Sequence, residues 1–219
     1  MSRLVRTLLV LSVAFAISSL AEAQKRRRPP KAFKDKYFRA QTAYRLGELD
    51  KAEKLFREAG KLYRAAGVYR GLAAVYIDMG DAGDSDAVRN AAYQKCVDSS
   101  FVALKLSPRS SKAKETKQLH SECREKLGRP RFRGKMGPKQ GGVAVITDTV
   151  GAQVKINGII AGGTPIKPRP VNAGRAIVTV KKPKKPAQSF SVDIVAGVVS
   201  DVLVDRRPKS KKKRKRPKG

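Results

Sequence analysis

The sequence contains very few of the residue types that build enzyme active sites. It has one histidine, His120, and two cysteines, Cys96 and Cys123, among 219 residues. No serine lies in a Gly-x-Ser-x-Gly pattern, which excludes the nucleophile turn of the α/β-hydrolases. The glycine-rich stretch 158–165 lacks the Lys-Ser/Thr pair that holds phosphate in a nucleotide-binding loop, so it predicts a β-turn. We therefore expect a non-catalytic protein without a cofactor.

His120 and Cys123 are the one pair of candidate metal ligands that lie close together in sequence. Their three-residue spacing on a helix would let both contact one metal ion. A usual zinc site, however, needs three or four protein ligands, and no other Cys or His stands nearby. The sequence therefore favours a surface histidine at a helix edge and predicts no metal site.

Acidic residues are also scarce, because 18 Asp and Glu stand against 49 Lys and Arg, giving a net charge of +31. Residues 36–106 carry 12 basic and 9 acidic residues, whereas residues 127–219 carry 23 basic and 4 acidic ones. Such an excess favours polyanionic partners, through long-range attraction and counterion release. For an exported protein these partners are anionic lipid, acidic polysaccharide or acidic protein.

Long apolar runs are missing except at the N-terminus, where residues 8–17 follow two arginines. Ala21 and Ala23 supply small residues at the −3 and −1 positions of a cleavage site before Gln24. Residues 1–23 therefore predict a cleavable secretory signal. The alternative is an uncleaved or inverted membrane anchor, because the four basic residues after Gln24 oppose translocation.

Helical periodicity extends over residues 33–127, after a basic, proline-bearing lead-in at 24–32. Residues 43–59 place Gly47 between two helices, with small residues where the helices would touch, and a weaker copy contains Gly80. This pattern resembles the tetratricopeptide repeat, whose period is about 34 residues.

The resemblance covers about residues 36–108 and implies stacked antiparallel helix pairs that offer a concave face to a protein partner. Gly47 and Gly80 lie 33 residues apart, and an insertion over 81–90 would lengthen the second copy. A further amphipathic helix over 113–127 would cap the stack. Generic helical hairpins are the alternative.

The two cysteines fall on consecutive predicted helices, joined by a turn near Pro108. Facing residues of an antiparallel hairpin are equally distant from the turn, and the midpoint of Cys96 and Cys123 falls at this turn. An exported protein meets an oxidising compartment, so we predict a Cys96–Cys123 disulfide. Two buried free thiols are the alternative.

Residues 128–142 contain five glycines, two prolines, five basic residues and no acid, and predict a flexible linker. Residues 143–205 are rich in Val, Ile and Thr with frequent turn residues, and predict a small β-sandwich of five strands. The predicted strands are 143–147, 153–156, 175–181, 190–195 and 198–204, with a hairpin signal at Asn157-Gly158.

The turns of this β region resemble those of the PEGA domain, over about residues 142–205. The resemblance rests on the segments 149–158, 163–165 and 173–174. Gly151 and Ala152 match the name-giving tetrapeptide, whereas Thr149 and Val150 replace its Pro and Glu. Where the family usually has Gly-Tyr after the valine-rich strand, this chain has a Lys- and Pro-rich segment. The resemblance implies an extracytoplasmic binding or spacer module without catalytic residues.

Residues 206–219 contain two prolines and no other apolar side chain, and predict a disordered basic tail. Its basic residues are Arg206, Arg207, Lys209, Lys211, Lys212, Lys213, Arg214, Lys215, Arg216 and Lys218. The tail either attracts an anionic surface or only keeps the chain soluble. It lacks the interleaved aromatic residues that stack on single-stranded nucleic acid.

Together these patterns predict an α+β protein, with an N-terminal antiparallel helical repeat, a separate small C-terminal β-sandwich and disordered basic ends. The expected function is that of an exported, non-catalytic scaffold or adaptor in the periplasm or at the surface of a bacterium. It would bind a protein through the helical repeats, and anionic lipid or acidic polysaccharide through the basic ends. The alternative is an intracellular basic protein that binds nucleic acid, with a misinterpreted N-terminus. A mature chain beginning at Gln24 would exclude that alternative.

Overall fold

The computed structural model describes residues 28–130, 132 and 134–204. Within these residues five helices precede seven strands arranged in two sheets, which confirms the predicted α+β class. The signal segment with Ala21, Ala23 and Gln24 lies outside the described residues, as does the basic tail from Arg206 to Lys218. Among the described helices none combines the length and the apolar character needed to cross a bilayer.

The helices occupy the first part of the chain and follow one another after short connections. They are α1 Lys31–Arg45, α2 Leu49–Leu62, α3 Ala66–Asp81, α4 Asp86–Leu106 and α5 Ala113–Lys126. Several alanines and two phenylalanines, Phe33 and Phe56, belong to the buried core of the first three helices. Gly71 lies directly on the ring of Phe56, because a Cβ added to Gly71 would be 2.4 Å from it. These small residues allow the helices to approach closely.

The two glycines of the predicted repeat have different roles. Gly47 has a φ of 74° and ends α1, since its own N–H and that of Glu48 donate to the carbonyls of Tyr44 and Ala43. That is the left-handed helix end that glycine favours. Gly80 instead lies inside α3 against the ring of Tyr93, 2.3 Å from the position of an added Cβ. Close packing, and not a turn, requires glycine there.

The insertion predicted over 81–90 lengthens a helix. Helix α4 begins at Asp86 and continues for 21 residues to Leu106. The hydroxyl of Ser85 accepts a hydrogen bond from the N–H of Val88 at 3.4 Å and caps the helix. Part of the extra sequence therefore forms the exposed first turns of α4.

The β part is a sandwich of a three-stranded and a four-stranded sheet. The strands are β1 Gln140–Thr147, β2 Gln153–Ile156, β3 Ile159–Gly163, β4 Ile166–Asn172, β5 Gly174–Lys181, β6 Gln188–Ile194 and β7 Val199–Val204. The sheet orders are β4-β1-β7 and β3-β2-β5-β6, and β1 pairs with β7 in parallel. Val143 and Val145 of one sheet and Val154 and Val178 of the other share a core from which water is fully excluded.

The prediction of five strands is wrong by two, because β3 and β4 were missed. Strand β4 contains Pro168 and Pro170, which normally argue against a strand. It lies at the edge of its sheet, where a missing N–H donor is tolerated. The predicted hairpin at Asn157-Gly158 is confirmed: both residues have positive φ, and Ile156 pairs with Ile159.

Candidate functional site at the junction of the helical and β parts

His120 of α5 lies in the contact between the helical part and strand β7, where only 2% of its surface is exposed. Its Nε2 lies 3.0 Å from the carbonyl oxygen of Val199, and its Nδ1 lies 3.0 Å from the hydroxyl of Ser100. Because a carbonyl oxygen can only accept, Nε2 carries the proton and Nδ1 accepts from the serine hydroxyl. The prediction of a surface histidine is wrong, since the β part covers this face of α5.

Burial also affects the ionisation of His120. Removal from water lowers the pKa of the imidazole below its usual value, and the positive charge of Arg124 acts in the same direction. The carbonyl of Val199 and the carboxylate of Asp201 oppose this effect without reversing it. His120 is therefore neutral in the folded protein.

One turn further along α5, Arg124 reaches Asp201 on β7. Its Nε and Nη2 donate to the two carboxylate oxygens at 2.9 and 2.7 Å. Arg129, just after the helix, donates to the same carboxylate from Nη1 at 2.7 Å. Only 3% of the Asp201 side chain and 5% of each arginine side chain are exposed. This buried cluster of Arg124, Arg129 and Asp201, hereafter the junction cluster, joins residues more than 70 positions apart in the chain.

The carboxylate of the junction cluster is held in its charged form. Burial alone would raise the pKa of Asp201, but the hydrogen bonds and charges of Arg124 and Arg129 outweigh burial and lower it. The second arginine is also fixed from the helical side, because Arg129 donates to the side-chain oxygen of Gln94 on α4. The segment predicted as a linker therefore has a buried, hydrogen-bonded second residue, Arg129, and it ends inside β1, which starts at Gln140.

A cleft of about 360 Å³ opens beside the junction cluster and is lined mainly by α4, β6 and β7. Its buried polar side chains already have partners: those of His120, Arg129 and Asp201 as described, and Ser200, whose hydroxyl donates to the carbonyl of Asp193 at 3.0 Å. This arrangement fixes the contact between the two parts. The lone pair of His120 Nδ1 faces the hydroxyl of Ser100, which is fully buried and also lies within hydrogen-bonding distance of the carbonyls of Cys96 and Val97.

The two cysteines meet between α4 and α5. Cys96 and Cys123 are fully buried and form a disulfide with a Cα–Cα distance of 6.2 Å, so the predicted facing pair is confirmed. Cys123 is thereby unable to act with His120 as a metal ligand pair. Across the described parts of the chain, no group of three or more His, Cys, Asp and Glu side chains could hold a metal ion.

The Gly151-Ala152 pair of the β part forms a locked turn. Gly151 has a φ of 78°, and its N–H donates to the carbonyl of Thr164 at 2.8 Å. The N–H of Thr164 donates in return to the carbonyl of Ala152 at 3.0 Å, while its hydroxyl accepts from the N–H of Ala152 at 3.1 Å. The same hydroxyl donates to the carbonyl of Thr149. These residues have a structural role.

Charge is distributed unevenly between the two parts. Of the ten ion pairs between described residues, seven lie within the helical part and three join it to the β part. The described β residues include three carboxylates, and two of them are used across the junction: Asp201 by the arginines and Asp193 by Lys105. Exposed cations of the β part that form no ion pair with a described residue are Lys155, Lys167, Arg169, Arg175, Lys181, Lys184 and Lys185.

The helical part also exposes large apolar side chains. Phe38 on α1 is 61% exposed, and Leu46 in the turn that follows α1 is 69% exposed.

Tyr44 of α1 forms a hydrogen bond with Asp78 of α3. Burial together with this hydrogen bond raises the pKa of the Tyr44 phenol to about 12. The tyrosine therefore stays protonated and connects the two helices at neutral pH.

These features define an α+β protein whose two parts are joined by a buried charged contact. No known protein family, curated protein or solved structure matches the chain. The likeness to tetratricopeptide repeats and to the PEGA domain therefore stays a prediction from the residues quoted above.

Proposed function

We propose that this protein is an exported, non-catalytic scaffold or adaptor of a bacterial cell envelope. Its helical part binds a protein partner, and its basic segments hold the protein at an anionic surface. The periplasm or the cell surface is the location that a signal peptide, a disulfide and a PEGA-like module favour together.

The orientation of the β-part carboxylates is the observation that carries this proposal. Asp193 and Asp201 are paired with the helical part, so they cannot neutralise the outer surface of the β part. Seven exposed cations are left there that form no ion pair with a described residue. A surface of this kind attracts polyanions over a distance of about one Debye length.

The neighbourhood of Lys155 favours lipid over polysaccharide as the anionic surface. Its strand partner on β3 is Ile160, which is exposed together with the adjacent Ile159 at the end of the hairpin. Exposed apolar side chains beside lysines suit the boundary between headgroups and acyl chains, which a polysaccharide does not offer.

Exposed apolar residues support the protein-binding role of the helical part. Phe38 and Leu46 lie near one end of the helix array, and more than half of the surface of each is exposed. Aromatic and aliphatic side chains exposed on a scaffold of paired helices are typical anchors for a partner protein. A pull-down from envelope fractions with Phe38→Ser and Leu46→Ser beside the unchanged protein would identify partners whose capture depends on this face.

Sedimentation with lipid vesicles tests the anionic-surface role. We expect the purified protein to sediment with vesicles that contain phosphatidylglycerol and to stay in solution with phosphatidylcholine alone. Binding should fall steeply with salt, because it depends on released counterions. Removal of residues 206–219 should weaken it further. Binding that is insensitive to salt, or equal for both vesicles, would contradict the proposal.

The intracellular alternative is separated by location and by ligand. N-terminal sequencing of the protein recovered from its cells should give Gln24 as the first residue. A chain that retains Met1 or Ser2 in the cytoplasm, and that binds nucleic acid more tightly than anionic vesicles at equal salt, would favour a nucleic-acid-binding protein instead.

A further inference from the structure

A larger cleft, of about 700 Å³, lies on another side of the contact between the helical and β parts. It is bordered by the end of α4, the turn before α5, α5 itself, the segment before β1, the start of β5 and the end of β6. Small-molecule sites in proteins commonly occupy about 300–1,000 Å³, so this cleft has the size of a binding site. It shares neither His120 nor the junction cluster.

The floor of this cleft is apolar. Its lining includes Leu104, Pro108, Pro138, Ile194, Val195 and Ala196. Leu104 and Val195 also belong to a small cluster of buried side chains under the cleft, separate from the cores of the two parts. A ligand that filled the cleft would therefore exchange water for hydrocarbon along this floor.

The rim of the cleft is strongly basic. Five cations from five segments surround it: Lys105, Arg109, Lys117, Lys139 and Arg175. A single carboxylate, Asp193, lies among them, and Lys105 forms an ion pair with it. The other four cations form no ion pair with a described residue. Like charges that converge on one cleft repel one another, and an anion would remove this repulsion.

Two of these cations lie in segments that contact the backbone of the β part. Lys117 is half-buried and lies against Gly197, because a Cβ added to Gly197 would be 2.6 Å from the lysine Nζ. Gly197 has a φ of 72° and its N–H donates to the carbonyl of Gln140 at 2.8 Å. The carbonyl of Lys139 accepts from the N–H of Ala173 at 2.7 Å. The segment that carries Lys139 is therefore held at the rim, and the ammonium group of Lys117 lies close to Gly197.

We propose that this cleft binds an amphiphilic anion, with a phosphate-like or carboxylate group at the rim and a short apolar chain on the floor. Arg109, Lys117, Lys139 and Arg175 hold the anionic group. The apolar floor disfavours a purely ionic ligand such as an acidic sugar, and the four cations disfavour a neutral lipid. This site depends neither on the signal peptide nor on the basic tail.

Decyl phosphate, used below its micelle-forming concentration, is a suitable probe in isothermal titration calorimetry with the purified full chain. We expect decyl phosphate to bind at least about tenfold more tightly than either inorganic phosphate or decyl maltoside, since each lacks half of the required chemistry. Equal binding of decyl maltoside, or no binding of decyl phosphate, would overturn the proposal. A protein that binds anionic vesicles but not the soluble probe would show surface attachment without this site.

A matched pair of double variants locates the binding. The substitutions Lys139→Gln and Arg175→Gln remove two charges from the rim, whereas Lys31→Gln and Lys34→Gln remove two exposed charges on α1, away from the cleft. We expect the rim pair to weaken decyl phosphate binding about tenfold and the control pair less than about twofold. Equal effects of the two pairs would overturn the site.

The floor has its own test. Ala196→Leu extends a half-buried side chain at the cleft and should shorten the alkyl chain that fits, so hexyl phosphate should replace decyl phosphate as the better ligand. Ala173→Glu, at an exposed rim position, should weaken the binding of all alkyl phosphates, because the new carboxylate repels the phosphate group. A chain-length preference unchanged by Ala196→Leu would contradict binding on this floor. Thermal unfolding curves identify any variant that has lost its fold.

Discussion

In the helical part, acidic and basic side chains neutralise one another locally, as in the pairs Lys36–Glu58 and Lys126–Asp81. The β part has three described carboxylates, and two of them, Asp193 and Asp201, reach across to the helical part. The helical part, residues 31–127, thus pairs much of its charge within itself, although its 20 basic residues still outnumber its 13 acidic ones. The β part depends on the helical part for its ion pairs, and its described residues 134–204 include ten basic residues against three acidic ones.

This difference shows where the two parts depend on one another. Exposed pairs such as Lys51–Glu48 contribute little to stability, about 0–1 kcal/mol each. A buried carboxylate between two arginines has a larger effect on stability, because removal of one partner leaves an uncompensated charge buried away from water. The predictions below compare the two parts, beginning with the largest expected effect.

Loss of Asp201 should cost the most stability. Asp201→Asn keeps the shape of the side chain but leaves Arg124 and Arg129 buried without a counter-charge. We expect the free energy of unfolding to fall by about 3–5 kcal/mol, measured by urea denaturation. Asp148→Asn, at the exposed carboxylate of the same part, is the control and should change it by less than about 0.5 kcal/mol. Similar values for the two variants would mean that the junction cluster contributes little.

Removal of the disulfide should cause the next largest loss of stability, and this loss should affect the helical part. Cys96→Ala with Cys123→Ala opens a loop of 27 residues' separation, which corresponds to about 3 kcal/mol. Far-ultraviolet circular dichroism at 222 nm follows the helices during thermal unfolding, so the loss should appear there first. Addition of a reductant to the unchanged protein should give the same shift. A shift in the double variant without a shift on reduction would indicate lost packing instead of a lost bond.

The pH dependence tests the junction through His120. Its pKa is lowered in the folded state, mainly by burial, from an unfolded value of about 6.5. The unfolded chain therefore binds more protons as the pH falls through that value, and the stabilising effect of the neutral histidine is lost in this direction. We expect the free energy of unfolding to decline from pH 7.5 to 5.5.

A histidine-free variant is the control for this pH dependence. His120→Gln should be less stable at pH 7.5 and should show a flatter profile between pH 7.5 and 5.5. The carboxylates with lowered pKa values, such as Asp201 and Asp81, titrate at lower pH, whereas burial raises the pKa of Asp98 on α4. An unchanged slope in the variant would assign the dependence to another group.

Local features of the sequence predicted local structure well. Gly47 ends α1, Asn157-Gly158 forms the β2–β3 hairpin, and the spacing of Cys96 and Cys123 about a turn predicted that they face each other. Each of these depends on residues within one helix pair or one hairpin. Strand β4 was missed because its prolines are acceptable only at a sheet edge, a position that no local pattern shows.

The contact between the parts could not be predicted, because it is made by residues far apart in sequence. His120 meets the carbonyl of Val199 across 79 positions, and Arg124 meets Asp201 across 77. Periodicity along α5 shows which residues share a face, but not which face another part covers. Buried arginines such as Arg129 also look like ordinary basic residues in a segment that contains five of them.

The smallest expected effect tests whether both parts use glycine in the same way at a turn. Gly47 after α1 and Gly158 between β2 and β3 have φ values of 74° and 82°, and an added Cβ would meet nothing within 4 Å at either position. The cost of Gly47→Ala and of Gly158→Ala should therefore be backbone strain alone, about 1 kcal/mol each. Urea denaturation measures both. Gly80→Ala is the contrast, since a methyl group there must displace the ring of Tyr93, and it should be more destabilising than either turn variant. If Gly80→Ala were the mildest of the three, close packing between α3 and α4 would not be what requires glycine at that position.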